Sequence, residues 1–128
     1  MIATSLTCLA LNIYFEARSE TLQAQVAVGQ VTLNRVSSPN YPSTVCEVVK
    51  QKGQFSWYSD GLSDTPKEAL AWTRSLALAD QMLAKTIQVK CVGDSLYYHA
   101  DYVQPYWAKV FKKACKIGTH IFYKELST

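Results

Sequence analysis

Apolar residues recur at helical spacing from the start of the chain. Leu6, Leu9, Ala10, Ile13 and Ala17 share one face, which predicts a helix over residues 4–17 with Glu16 near its end. Arg18-Ser19-Glu20-Thr21 reads as a short connection. Residues 22–36 carry Val26, Ala27, Val28, Val31, Leu33 and Val36, so this second helix is apolar on most sides and is expected at the centre of the fold. Ser37-Ser38-Pro39-Asn40-Tyr41-Pro42 is a break. Thr44 with Glu47 fits a capping box before a short helix that Gly53 ends. A loop follows through Asp60-Gly61. Thr65-Pro66-Lys67-Glu68 predicts another start, with Thr65 capping, Pro66 at the first helical position and the helix running to about Leu83. Gly93-Asp94 makes a turn, and Leu96-Tyr97-Tyr98-His99 reads as a short strand. A loop over 101–107, a basic helix over 108–115 and a last strand over 117–123 complete the pattern. The expectation is an α+β fold, mainly helical with a small β-sheet.

At 128 residues the chain fits one domain, 1–128, expected to act as a monomer. No internal repeat or low-complexity segment interrupts it. The apolar run from Ile2 to Phe15 is too short to span a bilayer, and no Lys or Arg precedes it as in an export signal, so stable membrane insertion is not expected. A net charge of +3 is too small and too scattered for a nucleic-acid partner. The one basic cluster, Lys109, Lys112, Lys113 and Lys116, reads as a solvated face or as a weak attraction to an anionic wall or membrane surface. Cys8, Cys46, Cys91 and Cys115 lack any close C-x-x-C spacing, so a zinc ribbon is not indicated. Their disulfide pairing is open at this level. Eight Tyr and three Trp are many for so small a domain, and such rings suit the apolar face of a sugar as well as a core.

Phe15-Glu16-Ala17-Arg18-Ser19-Glu20 resembles the E-A-R-G-E signature of the SleB-type cell-wall hydrolases. The likeness continues through Val31-Thr32-Leu33-Asn34-Arg35-Val36, Tyr41-Pro42-Ser43-Thr44-Val45-Cys46 and Gln54-Phe55-Ser56-Trp57. It closes with Tyr98-His99-Ala100-Asp101-Tyr102-Val103, Pro105-Tyr106-Trp107-Ala108 and Ile117-Gly118-Thr119-His120-Ile121-Phe122-Tyr123. One departure is Ser19, where the family usually has Gly. If that position needs a positive φ, Ser is strained there and the pose of Glu20 differs. The resemblance implies a lysozyme-like domain acting on bacterial peptidoglycan, with no cofactor.

Breaking a glycosidic bond needs a proton for the leaving oxygen, and a carboxyl kept neutral by an apolar setting supplies it. Glu16, after Ile13-Tyr14-Phe15 and at the family's glutamate position, is the expected catalytic acid. Glu20 is the rival, expected to hold substrate or tune Glu16, and Arg18 is expected to pair with one of these carboxylates. Gln54, Phe55, Ser56 and Trp57 are candidates for one wall of a sugar cleft, and Tyr97, Tyr98 and His99 for another, with Tyr102 and Trp107 as weaker candidates. His120, alternating with Ile121, reads as a hydrogen-bonded structural residue.

A single glutamate suffices if the sugar's own 6-hydroxyl attacks, which makes a lytic transglycosylase the first expectation and a hydrolytic muramidase the second. The competing classes are a zinc peptidase using His99, His120 and a carboxylate, and a wall-binding module without catalysis. For the first, no metal site is indicated, because the two histidines form no close pair. A wall-cutting domain without an export signal suggests a phage endolysin, held in the host cytoplasm until a holin releases it, in preference to a domain excised from a bacterial protein.

Overall fold

The computed structural model describes residues 4–51 and 65–125. Helix α1, Ser5–Ala17, starts at Thr4, whose hydroxyl accepts the Thr7 N–H at 3.1 Å. Helix α2, Leu22–Val36, starts at Thr21, which accepts from the Ala24 N–H at 3.2 Å. Both threonines satisfy amide groups that the first helical turn leaves without partners. Helix α3, Val45–Lys50, has the expected cap, with Thr44 accepting from the Glu47 N–H at 3.2 Å and donating to its carboxylate at 2.8 Å.

Helix α2 lies at the centre, as its pattern predicts. Val28 and Val31 are fully buried, and α1, α3, α4 and the sheet all pack against it. Gly29 permits the closest approach, because a β-carbon there would sit 2.9 Å from the Met82 sulfur of α4. Several polar residues of α2 are spent on backbone groups. Gln30 donates to Val89 and Gly93 and accepts from the Val89 N–H, while Asn34 donates to Gly93 and Ser95. Arg35 Nε donates to the Leu96 carbonyl at 2.8 Å. Through these bonds the irregular segment before the sheet finds the partners that buried backbone requires.

Helix α4, Ala69–Leu83, begins later than the sequence suggests. Neither Thr65 nor Pro66 opens it; Glu68 is the cap residue, without a side-chain cap of its own. The Tyr14 hydroxyl of α1 instead accepts the N–H groups of Lys67 and Glu68 at 3.1 and 3.0 Å. A residue distant in sequence thus supplies the cap, which a local motif cannot reveal.

Three antiparallel strands form the sheet in the order β1-β3-β2: β1 Tyr97–Ala100, β2 Lys112–Ile117 and β3 His120–Lys124. The basic helix expected over 108–115 is not formed. A 3-10 turn at Tyr106–Lys109 leads into β2, which pairs with β3 through the two-residue turn Gly118-Thr119. Lysine favours helix only weakly, and non-local strand pairing overrides it. Gly118 takes φ +58°, so the strand expected over 117–123 is broken there and restarts at His120.

The cysteines pair as Cys8–Cys46, joining α1 to α3, and Cys91–Cys115, joining the turn before β1 to β2. With separations of 38 and 24 residues, loop-closure entropy assigns each about 3–4 kcal/mol. Among the described residues, no helix is long and apolar enough to cross a membrane.

Candidate active site

Glu16 occupies the last turn of α1. Ile13 and Ala17 point into the core, so Glu16 is carried to the rim, half-buried. From β1, the Tyr98 hydroxyl donates to Glu16 Oε1 at 2.8 Å. Burial pushes the Glu16 carboxyl above its ordinary value of 4.5; the Tyr98 hydrogen bond and the positive charge of Arg35 oppose that rise. Burial, then the Glu16 charge, drives the Tyr98 phenol well above its own usual range, so it stays a proton donor. With Oε1 engaged by Tyr98, a neutral Glu16 carries its proton on Oε2. Among the described residues nothing donates to Oε2.

Arg35 was not singled out from the sequence. It is 5% exposed and sits over the rings of Tyr41 and Tyr97 at 5.1 and 5.8 Å. Burial lowers its pKa, and nearby Tyr41, Tyr98, Tyr97 and Glu16 hold the charge in place. Its signal was a cation near the end of a helix otherwise apolar on most sides, where a buried charge must find partners.

Glu20 has a different setting. Its Oε1 accepts from the Thr119 N–H at 3.3 Å and the Thr119 hydroxyl at 3.1 Å, and lies 3.6 Å from His120 Nδ1. A β-carbon on Gly118 would stand 2.8 Å from the same oxygen. Glu20 therefore clamps the β2–β3 turn to the α1–α2 connection. Ser19 needs no glycine, since Lys85 is the one described non-glycine residue with positive φ. Arg18 pairs with neither Glu16 nor Glu20; it bonds to Glu68 and covers the Tyr14 ring at 4.8 Å. His120 is buried, 8% exposed, and among the described residues its Nδ1 makes no hydrogen bond.

Tyr97, Tyr98 and His99 do not form one wall. Successive strand residues face opposite sides, so only Tyr98 reaches Glu16. Tyr97 stacks on Phe111 at 4.3 Å and donates to Glu125 at 3.1 Å. His99 stacks on Tyr123 at 5.3 Å. Both ring nitrogens of His99 are engaged, by the Ala100 carbonyl and the Tyr123 hydroxyl. His99 and His120 thus lie on opposite faces, and no group of three metal-ligating side chains occurs among the described residues. Tyr102 is 82% exposed, and Trp107 packs with the outer-face rings at 5.3 Å from Tyr123. Gln54, Phe55, Ser56 and Trp57 lie outside the described residues.

A family model described as Cell Wall Hydrolase matches residues 19–123, so Glu20 falls within the match and Glu16 just before it. A spore cortex-lytic enzyme of Bacillus cereus is 35% identical over 118 residues, covering 91% of this chain and 42% of its own length. That of Bacillus subtilis is 37% identical over 125 residues, covering 89% of this chain and 35% of the relative. The chain thus spans less than half the length of these curated relatives. Among solved structures, the catalytic domain of the germination-specific lytic transglycosylase SleB from Bacillus anthracis superposes with a TM-score of 0.76 at 31% identity, with 97% of each chain covered. The catalytic domain of the Bacillus cereus SleB protein gives 0.72 at 32% identity, covering 94% of this chain and 89% of that one. The mainly helical fold with its small sheet is the fold of these domains.

Proposed function

The chain belongs to the cell wall hydrolase family, and from that premise we propose that it is one catalytic domain cutting the glycan strands of bacterial peptidoglycan between N-acetylmuramic acid and N-acetylglucosamine. The observation that carries this reading is the desolvated Glu16 carboxyl held through Oε1 by Tyr98. The relatives' names, spore cortex-lytic enzyme and lytic transglycosylase, support the same chemistry.

Glu16 Oε2 gives its proton to the glycosidic oxygen as the bond from that oxygen to C1 of the muramic acid breaks. The carboxylate left behind takes the proton of that sugar's 6-hydroxyl as its oxygen bonds to C1. The products are a 1,6-anhydro sugar and a new sugar hydroxyl on the leaving strand, with no water consumed. One carboxyl thus serves first as acid and then as base. Tyr98 positions it throughout, and Arg35 offsets the growth of negative charge. Gln54, Phe55, Ser56 and Trp57 are proposed for sugar binding.

Mass spectrometry of digested wall tests the mechanism. Anhydro ends are expected; reducing ends, heavier by one water, would assign a muramidase instead, and new free amines would assign a peptidase. A role in host lysis as a phage endolysin is a separate proposal, which the disulfide pairs suit by favouring an oxidising compartment. Its test is co-expression with a holin in a bacterial host. Lysis dependent on both genes is expected, and absence of lysis overturns it.

A further inference from the structure

The sheet face turned away from Glu16 carries a site of its own. Tyr97, His99, Trp107, Phe111 and Tyr123 form an aromatic layer there, with neighbouring ring centroids 4.3–6.0 Å apart. Against it the segment around the 3-10 turn leaves a cavity of about 410 Å³, bordered by His99, Tyr123, Gln104, Tyr106 and Lys109. That volume is in the range of small-molecule sites. Tyr106 is 87% exposed, which no packing need explains.

The hydrogen bonds fix what the cavity offers. A carbonyl only accepts, so His99 Nδ1 donates to Ala100 at 2.7 Å, and in the neutral ring Nε2 accepts from the Tyr123 hydroxyl at 2.9 Å. The Tyr123 oxygen then presents only lone pairs to a ligand. Gln104 adds an amide with both donor and acceptor, and Tyr106 a flat ring for the C–H face of a sugar. Lys109 adds a positive charge with no acidic partner among the described residues, and Lys113 lies on the same sheet face through its pairing with Tyr123. The basic cluster is thereby brought beside an aromatic pocket.

We propose that this outer face is a second, non-catalytic site for an N-acetylated sugar bearing a carboxylate, the muramyl-peptide unit of peptidoglycan. This rests on the wall-cleaving reading above for its choice of polymer. Tyr98 and His99 point to opposite sides of one strand, so a single sugar cannot touch both sites. The outer site therefore holds a neighbouring wall segment and keeps the enzyme on its substrate between cuts, the gain expected of linked binding events.

The test uses Glu16→Gln protein, which leaves the probe and wall intact. N-acetylmuramyl dipeptide is titrated while amide chemical shifts are followed, with the neutral sugar diacetylchitobiose as control. Shifts centred on Tyr106 and Lys109 are expected. Tyr106→Ala and Lys109→Ala should each weaken binding about tenfold, and chitobiose should bind less well. Both side chains are exposed, so unchanged melting temperatures verify the fold. Shifts confined to the surroundings of Tyr98 overturn the proposal, as does equal affinity for chitobiose. Binding to anionic phospholipid vesicles that loses as much with Lys109→Ala also overturns it, by assigning the face to membranes. Digestion products of the wild-type protein report on cleavage separately, so the two readings fail by different measurements.

Discussion

Glu16 and Glu20 flank the same short connection, yet the fold gives them different settings. Among the described residues Glu16 receives one hydrogen bond, from a phenol, and burial dominates its titration. Glu20 receives two from Thr119 and lies beside His120. The bonds from Thr119 make Glu20 an anchor for the β2–β3 turn. Burial disfavours the charged form of the Glu16 carboxyl, which suits it to carry a proton. Residue type does not distinguish them; the part of the sheet each one meets does, β1 for Glu16 and the β2–β3 turn for Glu20.

The comparison is broken or sharpened most strongly by Glu16→Gln. Loss of the acid should lower wall cleavage about a thousandfold or more, measured as release of soluble muropeptides. Folding should benefit. The native carboxyl has its pKa raised, so native Glu16 holds a proton that the unfolded chain has already released. Stability is therefore lost as pH rises from the unfolded value through the folded one. Glu16→Gln should melt higher than wild type at neutral pH, and the gap should close on acidification. Equal activity of the variant would sink the assignment.

Tyr98→Phe should cost about 10- to 100-fold in rate through misplacement of the carboxyl. The removed hydrogen bond favours the carboxylate, so its loss raises the Glu16 pKa further. Activity falls where Glu16 loses its proton, and the alkaline limb of the pH–rate profile should move to higher pH. A fall in rate with an unmoved limb would assign Tyr98 a packing role only.

Glu20→Ala should lower stability by about 1–2 kcal/mol through loss of the bonds to Thr119, read by chemical denaturation. Glu20→Gln should keep most of that stability and most of the activity. If Glu20→Gln is as inactive as Glu16→Gln, the two carboxylates share the chemistry and the contrast fails. The smallest effect is expected for Gly118→Ala. The positive φ and the approach of Glu20 together should cost about 1 kcal/mol, measured by the same method, with activity largely retained.

Much of this was legible from local pattern. Helices α1 and α2 match the expected 4–17 and 22–36 closely because an apolar stripe and a capping threonine are written within each segment. The Thr44 cap of α3 is local in the same way. Where elements depended on distant partners, pattern misled. The Lys112–Ile117 strand looked like a basic helix because its only reason to be extended is β3 beside it. Helix α4 takes its cap from Tyr14, more than fifty residues earlier in the chain.

The candidate acid was readable as a motif, but its environment was not. Sequence by itself determined the apolar stripes, the capping threonines and a glutamate at the end of an apolar helix, because these are set by neighbours a few residues away. Tertiary structure alone decided the cysteine pairs, the burial of Arg35, and which tyrosine of Tyr97-Tyr98 meets Glu16. The two tyrosines are adjacent and chemically identical; strand alternation sends one to the acid and the other to the opposite face. That choice depends on sheet register, a property of strands brought together only when the chain folds.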